Sequence, residues 1–404
     1  MRLAMYGGAK PQHTAKSASF LSNTRNAECG AGQSPANPAV RGVPLARRKI
    51  AESPRDGASR ILRIALAAAV LLVLSPIESR LDAADGGVVR LDPSLDSIIP
   101  PDAHLEMLKS DYFGVSEGPL WIQKGSDGYL LFSDIGANAI YKWTPQAGLS
   151  IFLPNAGYTG DMAAAGFQGF GANNGRLNIM NFGPNGIVAD PQGRLIFCAQ
   201  GDRAIVRIEN NGSRTVLADK YEGKRLNRPN DLVLKSDGAI YFTDPVFFKS
   251  PVTELPGSSV FMLKDGKLSL ILNDYKLPNG IVFSPDEKYL YVNDTVRKLI
   301  LRYDVRGDDT IANGRTFVDM SSDKAPGAPD GMKVDAKGNL YCTGPGGLWI
   351  ISPAGKHLGT ILLPETGTNL TFGDADGRTL YITDRRSLGR IRVNVAGALW
   401  KPAR

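Results

Sequence analysis

The chain has 404 residues with 45 glycines and 26 prolines, which suits two average domains or one large β domain with many turns. Its formal net charge is +7, but residues 1–84 contain 12 basic and 5 acidic side chains, so the remaining residues contain 35 of each. Because the whole basic excess lies in the N-terminal leader, the charge gives no reason to expect a nucleic-acid partner.

The leader has the pattern of a targeting segment. Residues 1–58 are polar and without apolar periodicity, which predicts a disordered extension or a start codon assigned too far upstream. Arginines then precede an apolar run of eleven residues, IALAAAVLLVL at 64–74. A bilayer span needs about 20 apolar residues, so we predict a signal peptide at 59–84. The expected location is periplasmic or secreted, without stable membrane contact after cleavage; the alternative is an uncleaved membrane anchor.

Residues 85–103 are predicted to be a linker, and residues 104–398 contain a repeated pattern. In each repeat a carboxylate or amide residue precedes a short apolar strand, a polar turn and a second apolar strand, which is typical of a β-hairpin. A third strand usually follows, such as AIYKW at 139–143, and often a fourth, such as LSLIL at 268–272. The six repeats start 39 to 68 residues apart, at Glu117, Asn185, Asn230, Asn279, Asp330 and Asn369.

Four antiparallel strands at a period of about 40–50 residues are typical of a β-propeller blade. We therefore predict an all-β fold, a six-bladed β-propeller with four antiparallel strands per blade. The last repeat provides only three strands, and LEMLKS at 105–110 precedes the first repeat without a partner. This N-terminal segment is expected to supply the outermost strand of blade 6 and close the ring, which would remove two exposed sheet edges.

The first strand of each propeller blade lines the central channel, so the six residues that start the repeats should surround one mouth of it. A single Asp or Asn before a strand is usually a turn residue, but turns do not explain six carboxylates or amides at equivalent positions. Bringing such groups together is energetically unfavourable unless a positive charge lies among them. Oxygen ligands of this kind favour one divalent cation, most of all Ca²⁺, with Mg²⁺, Mn²⁺ or Zn²⁺ as alternatives.

Four motifs also resemble the SMP-30/gluconolactonase/LRE family of six-bladed propellers, over about residues 110–395. They are SEGPLW at 116–121, RPND at 228–231, LPNG at 277–280 and APDGMKVD at 328–335. The segment 221–245 is similar to the bacterial gluconolactonase branch of this family.

The resemblance implies roles for individual residues. Glu117, Asn279 and Asp330 would bind the cation, and Asn230 would face the same ion directly or through water or substrate. Asp330 would also be the catalytic acid/base. Substrate would be bound by Arg228, Asn230 and Asn185, although a salt bridge that braces 221–231 is an alternative role for Arg228. The role of Asn369 is left open.

The activity that the resemblance implies is hydrolysis of a sugar lactone, from aldonolactone to aldonic acid. The cation would polarise the lactone carbonyl, and Asp330 would take a proton from water and return it to the leaving oxygen. The alternatives are hydrolysis of another lactone or of a phosphotriester at the same site, and a non-catalytic secreted propeller that binds a partner. The oligomeric state is left open.

Other features narrow the hydrolase class. No GxSxG motif occurs, and only His104 and His357 follow the leader, which disfavours a serine triad or a histidine dyad. Insertions at 154–183 and 245–259 are expected to form a lid or a pocket wall. Cys198 and Cys342 are predicted to be buried strand residues that do not form a disulfide, because they lie in different blades.

Overall fold

The computed structural model describes residues 87–161, 172–173, 176–177, 182–247 and 253–398, and strands form nearly all of the regular structure in these ranges. The predicted N-terminal extension and signal peptide lie outside the described residues, as do most of the insertion at 154–183 and residues 248–252 of the second insertion. In the described part of the chain, no helix is long and apolar enough to cross a membrane.

Six antiparallel sheets follow one another along the chain and correspond to the six predicted repeats. Their strands are rich in β-branched and aromatic residues, which favour a pleated and half-buried surface. The first four sheets, blades 1 to 4, each take their four strands from one repeat. These strands are Ser116–Lys124, Asp127–Asp134, Ala139–Thr144 and Gly148–Pro154; Pro184–Ala189, Leu195–Ala199, Ala204–Ile208 and Arg214–Ala218; Leu232–Leu234, Ile240–Asp244, Ser259–Lys264 and Lys267–Leu272; Pro278–Phe283, Tyr289–Asp294, Leu299–Val305 and Ile311–Asp319.

Blades 5 and 6 each add a strand that precedes the first repeat. Their own strands are Met332–Val334, Leu340–Gly344, Gly347–Ile351 and His357–Leu362 in blade 5, and Gly367–Gly373, Thr379–Asp384 and Ser387–Arg392 in blade 6. Glu106–Lys109 pairs with the last strand of blade 6, as predicted for LEMLKS, and completes a four-stranded sheet. In the described chain this strand belongs to the sheet of blade 6 alone and does not pair with a strand of blade 1. Two-residue strands outside the blades pair as Ala172–Asn173 with Arg176–Leu177 and Lys220–Tyr221 with Lys224–Arg225.

The predicted linker at 85–103 is in part a structural element of blade 5. Val88–Arg90 pairs with His357–Leu362 as a fifth strand, and a 3-10 helix follows at Pro93–Ser97. Leu95 in this helix is fully buried in the hydrophobic cluster between blades 5 and 6. A three-residue strand and a five-residue helix are too short to show a clear periodicity, which is why the sequence did not indicate them.

Hydrophobic packing between neighbouring blades continues around the ring. The described buried residues form six clusters, and each cluster combines residues of two adjacent blades. Between blade 6 and blade 1, Trp121 stacks on Tyr381 with ring centroids 5.2 Å apart and planes inclined by 12°. The last blade therefore packs on the first through side chains of two separate sheets.

Polar residues inside the blades have structural partners. Asp134 ends the second strand of blade 1, is fully buried, and accepts the main-chain N–H groups of Val115 and Ala137. Asp134 therefore holds the main chain before the first strand and after the second strand of its own blade. Cys198 and Cys342 are free and buried in the second strands of blades 2 and 5, as predicted.

Candidate active site

The residues that start the six repeats lie at or just before the first strand of each blade. Each first strand is a sheet edge that contacts the first strands of its neighbours, so the six strands surround the axis of the ring. The pairing register shifts beside Glu117, Asn279 and Asn369, and such bulges redirect side chains. A Cβ on Gly118 would lie 2.2 Å from the carbonyl oxygen of Asn185, so glycine permits blades 1 and 2 to approach closely here.

Side-chain amides connect blades 2 to 4 around this mouth. Asn185 Nδ2 donates to Asn230 Oδ1 at 2.7 Å, and Asn230 Nδ2 donates to Asn279 Oδ1. Asn279 lies beside the carboxyl group of Asp330 and acts against the rise in its pKa that burial causes. Three amides from separate blades therefore form one hydrogen-bonded chain, and Asp330 of blade 5 lies next to its end.

Glu117 and Asn369 complete the group. Burial and then the charge of Glu117 raise the pKa of Asp330, and Glu117 Oε2 accepts the N–H of Gly118 at 2.6 Å and Asn369 Nδ2 at 3.0 Å. Asn369 Oδ1 accepts the main-chain N–H of Leu370 at 2.9 Å, so the amide of Asn369 is held with its nitrogen toward Glu117. All six predicted residues thus lie together at one site. We will refer to Glu117, Asn185, Asn230, Asn279, Asp330 and Asn369 as the mouth ring.

Burial and repulsion between carboxylates raise the pKa values at the mouth ring. Glu117 is only 4% exposed, and burial followed by the charge of Asp231 raises its pKa to about 7. Burial and the charges of Glu117 and Asp231 raise the pKa of Asp330 well above its usual range. The positive charge of Lys333 acts in the opposite direction on Glu117 and Asp231. A cation among these groups would relieve the repulsion and favour their ionised forms.

Several buried oxygen atoms at the site accept no hydrogen bond from the described residues. Asp330 Oδ1, Asn185 Oδ1 and Gln200 Oε1 are buried and accept no hydrogen bond. A buried acceptor without a partner costs about 1–3 kcal/mol, so these atoms fit a site that takes up a cation and a hydroxylated ligand. The described residues contain no group of three or more His, Cys, Asp and Glu side chains with metal-ligand geometry. A cation here would therefore depend on amide as well as carboxylate oxygens, a mixture that suits Ca²⁺ better than Zn²⁺.

Arg228 lies two residues before Asn230 but is not hydrogen-bonded to the mouth ring. Its guanidinium lies over the ring of Phe182, with Cζ 4.8 Å from the centroid. Burial, followed by the charge of Arg203, lowers the pKa of Arg228. Among the described residues no carboxylate forms an ion pair with Arg228, so the salt bridge considered as its alternative role is not found there.

The sequence did not indicate three further polar residues at the site. Gln200 is 1% exposed, and its Nε2 donates to Asn230 Oδ1 at 3.2 Å. Asp231 is 3% exposed, and its Oδ2 lies 3.4 Å from Asn369 Nδ2. Lys333 Nζ lies 3.4 Å from Asn369 Oδ1. A signal for Asp231 was present, because the mouth-ring residues of blades 1, 2, 4 and 5 are each followed by glycine, whereas Asn230 is followed by Asp231.

A cleft at blade 6 and the two histidines that follow the leader are less suited to catalysis than the mouth ring. A cleft of about 450 Å³ opens at the outer edge of blade 6 beside Glu106, where an ion pair to Arg390 occupies the carboxylate. His104 lines this cleft, and His357 stacks on Trp349 in blade 5 with ring centroids 3.6 Å apart. Neither histidine contacts the mouth ring.

Comparisons with known proteins agree with this architecture. Residues 115–386 match the family model described as the SMP-30/Gluconolactonase/LRE-like region. The chain belongs to this family. It is 35% identical to a gluconolactonase of Zymomonas mobilis over 330 residues, which covers 77% of this chain and 87% of the relative. It is 27% identical to regucalcin of Xenopus laevis over 287 residues, or 69% of this chain and 86% of that protein.

A solved structure of a Xanthomonas campestris gluconolactonase, reported as important in glucose secondary metabolism, superposes with a TM-score of 0.63 at 31% identity. The superposition covers 76% of this chain and 94% of that one. The part of the chain described as blades therefore corresponds to nearly all of this relative, and both the predicted family and the predicted six-bladed fold are confirmed.

Proposed function

We propose that this chain hydrolyses a sugar lactone, converting an aldonolactone to an aldonic acid, with one divalent cation at the mouth ring. The proposal rests mainly on the placement of Glu117, Asn279 and Asp330 together at the mouth ring, beside buried oxygen atoms that accept no hydrogen bond from the described residues. Family membership and the similarity to gluconolactonases support the choice of a lactone as substrate.

Glu117, Asn279 and Asp330 would hold the cation, with Asn230 facing it from blade 3. Their oxygen atoms come from three rigid first strands and the turns that precede them, which favours a preorganised site. When bound, a cation of this type polarises a carbonyl oxygen and stabilises the negative charge that develops on it. We expect Ca²⁺, because the ligand set is made of oxygen atoms and includes neutral amides.

Asp330 is the group that we assign to proton transfer. In the first step a water oxygen forms a bond to the lactone carbonyl carbon, the π electrons of the carbonyl group move to its oxygen, and Asp330 takes a proton from that water. In the second step the bond between the carbonyl carbon and the ring oxygen breaks, and Asp330 returns the proton to the leaving oxygen. Burial and the neighbouring carboxylates raise the pKa of Asp330, whereas a bound cation would lower it and keep the carboxylate ionised, ready to accept a proton.

Substrate hydroxyl groups would be bound on the side of blades 2 and 3. Asn185 Oδ1 and Gln200 Oε1 are two buried acceptors without partners, and both side chains are held by hydrogen bonds to Asn230 Oδ1. A sugar lactone carries hydroxyl donors that match such acceptors. Arg228, placed by Phe182 and without an ion pair to a described residue, would bind further oxygen atoms of the substrate.

The test is a panel of lactones, with a phosphotriester included, assayed on protein expressed from about residue 85. The metal content of the same sample is measured before and after removal by a chelator, and Ca²⁺ is then restored. We expect turnover of at least one aldonolactone that is lost on chelation and recovered with Ca²⁺. Turnover that survives complete metal removal would contradict the cation's role. Preference for the phosphotriester would favour the alternative hydrolase, and inactivity on the whole panel would favour a binding propeller.

We also propose that the mature protein is exported and begins near residue 85. Support comes from the apolar run at 64–74 and from the small-residue stretch LDAAD at 81–85 that follows it. N-terminal sequencing of the protein recovered from the periplasm or medium tests this. A mature chain that retains residues 59–84 would instead support the membrane-anchor alternative.

A further inference from the structure

We infer that Asn293, a residue outside the mouth ring, is a positioning residue that sets the separation between Asn279 and Asp330. The inference rests on the proposed cation site and extends it to a side chain that touches neither cation nor substrate. It follows from a side-chain hydrogen bond that recurs between neighbouring blades. At the junction of blades 4 and 5 an amide makes this bond in place of a hydroxyl group.

The recurring contact runs from the second strand of one blade to the main chain that starts the next blade. A side-chain donor just before the end of the second strand donates to a carbonyl oxygen at or beside the next mouth-ring residue. Such bonds occur from Ser133 to Asn185 (2.7 Å), from Thr243 to Asn279 (2.8 Å), from Asn293 to Asp330 (2.5 Å) and from Thr343 to Thr368 (3.4 Å). Blades 1, 3, 4 and 5 thus each help to fix the main chain at or beside the mouth-ring residue of the next blade.

Asn293 differs in side-chain type from the residues at the equivalent position of the other blades. At the equivalent positions the other five blades have a hydroxyl or thiol side chain, namely Ser133, Cys198, Thr243, Thr343 and Thr383. Asn293 is fully buried, and its amide reaches farther than a hydroxyl and presents a donor and an acceptor on separate atoms. Its Nδ2 donates to the carbonyl oxygen of Asp330, and its Oδ1 accepts the N–H of Gly280, which follows Asn279, at 3.2 Å.

One amide group therefore bridges the main chains next to two proposed cation ligands. The two segments are also in direct contact, because a Cβ on Gly280 would lie 2.1 Å from the carbonyl oxygen of Asp330 and 2.9 Å from Asn293 Nδ2. Thr295 adds a hydrogen bond from the same end of blade 4 to the carbonyl oxygen of Pro329 at 2.8 Å. The Asn293 side chain, together with the close contact at Gly280, thus sets the separation of the two ligands.

Cation sites tolerate small errors in ligand placement poorly, and loss of a residue that orients a ligand typically weakens metal binding about 10–100-fold. A shorter side chain at position 293 cannot span both main chains. We therefore expect that its replacement weakens cation binding more than it destabilises the fold.

The experiment measures Ca²⁺ binding by isothermal titration calorimetry to wild type, Asn293→Thr and Asn293→Leu. Asn293→Thr installs the hydroxyl that other blades use, and Asn293→Leu keeps the size but removes both hydrogen bonds. The matched control is Thr343→Val, which removes the corresponding contact between blades 5 and 6 and leaves the main-chain bond from Thr343 to Gly331 intact. Thermal unfolding in chelator reports the stability of each variant.

The expected result is Ca²⁺ binding that is at least about tenfold weaker in both Asn293 variants, with the kcat for lactone recovered at saturating Ca²⁺. Thr343→Val should lower the unfolding temperature similarly yet bind Ca²⁺ within about twofold of wild type, because the residues it touches are not proposed ligands. If Asn293→Thr binds Ca²⁺ like wild type, or if Thr343→Val weakens binding equally, the inference is overturned. A wild type that binds no divalent cation would instead overturn the proposed function and, with it, this inference.

Discussion

The substitution Gly280→Ala tests how closely blades 4 and 5 must approach at the mouth ring. The added Cβ would lie 2.1 Å from the carbonyl oxygen of Asp330, whereas real Cβ contacts essentially never fall below 3.0 Å. The two main chains must therefore separate by about 1 Å. A displacement of that size in a catalytic site costs about 100-fold in rate, or about 2.7 kcal/mol of activation free energy. The overpacking itself should destabilise the fold by about 1–3 kcal/mol.

The assay compares kcat/KM for lactone hydrolysis and the thermal unfolding of Gly280→Ala with those of Gly307→Ala. Gly307 belongs to the same blade, and a Cβ there would meet no atom within 4 Å. We expect the Gly280 variant to fold and to lose about 100-fold in activity, while the Gly307 variant resembles wild type. Wild-type kcat/KM in Gly280→Ala would refute the claim that this close contact sets the geometry of Asn279 and Asp330.

Three further results are expected. Asp330→Asn should reduce turnover by about 10³-fold or more with unfolding unchanged, because it removes the proton acceptor. Asn369→Ala, which frees Glu117 to reorient and removes the contacts to Asp231 and Lys333, should cost about tenfold. Equal losses in a steady-state assay would contradict these roles. Gln200→Leu should raise KM for an aldonolactone about tenfold and leave KM for an unsubstituted lactone unchanged; equal changes for both would exclude hydroxyl recognition. Burial lowers the pKa of His357 from 6.5 to about 4, so the unfolded chain binds a proton more readily than the folded chain. The free energy of unfolding should therefore fall as the pH drops from 6.5 toward 4, by about 1–2 kcal/mol after allowance for partial exposure. His357→Gln should remove this pH dependence from urea unfolding curves, and an unchanged pH dependence would contradict it.

The repeat pattern was sufficient to predict the blades because each blade is one local unit of hairpins. Equivalent positions in successive units become equivalent places around the axis, which is why residues as distant as Glu117 and Asn369 could be expected at one site. The hydrogen bond between their side chains agrees with that expectation. The strand at Val88–Arg90 could not be anticipated in the same way, since it belongs to no repeat and pairs with a strand about 270 residues later.

Residues whose roles depend on the neighbouring blade were also missed. Gln200 directly follows the second strand of blade 2, and the residue type at this position is not the same in all six blades. The sequence therefore gave no repeat pattern for it, and only the fold places it beside Asn230. Asn293 appeared to be an ordinary polar strand residue, because the sequence does not show which main-chain groups lie across the junction. The role of Asn369 could be narrowed only when the direction of its amide was known.

The central claim is that mouth-ring oxygens from separate blades surround one divalent cation. The most direct measurement is an anomalous difference map from a crystal of the protein grown with Mn²⁺ in place of Ca²⁺. We expect one strong peak within about 2.6 Å of oxygen atoms of Glu117, Asn279 and Asp330. A crystal in which Mn²⁺ binds only elsewhere, or in which these three side chains share no peak, would contradict it.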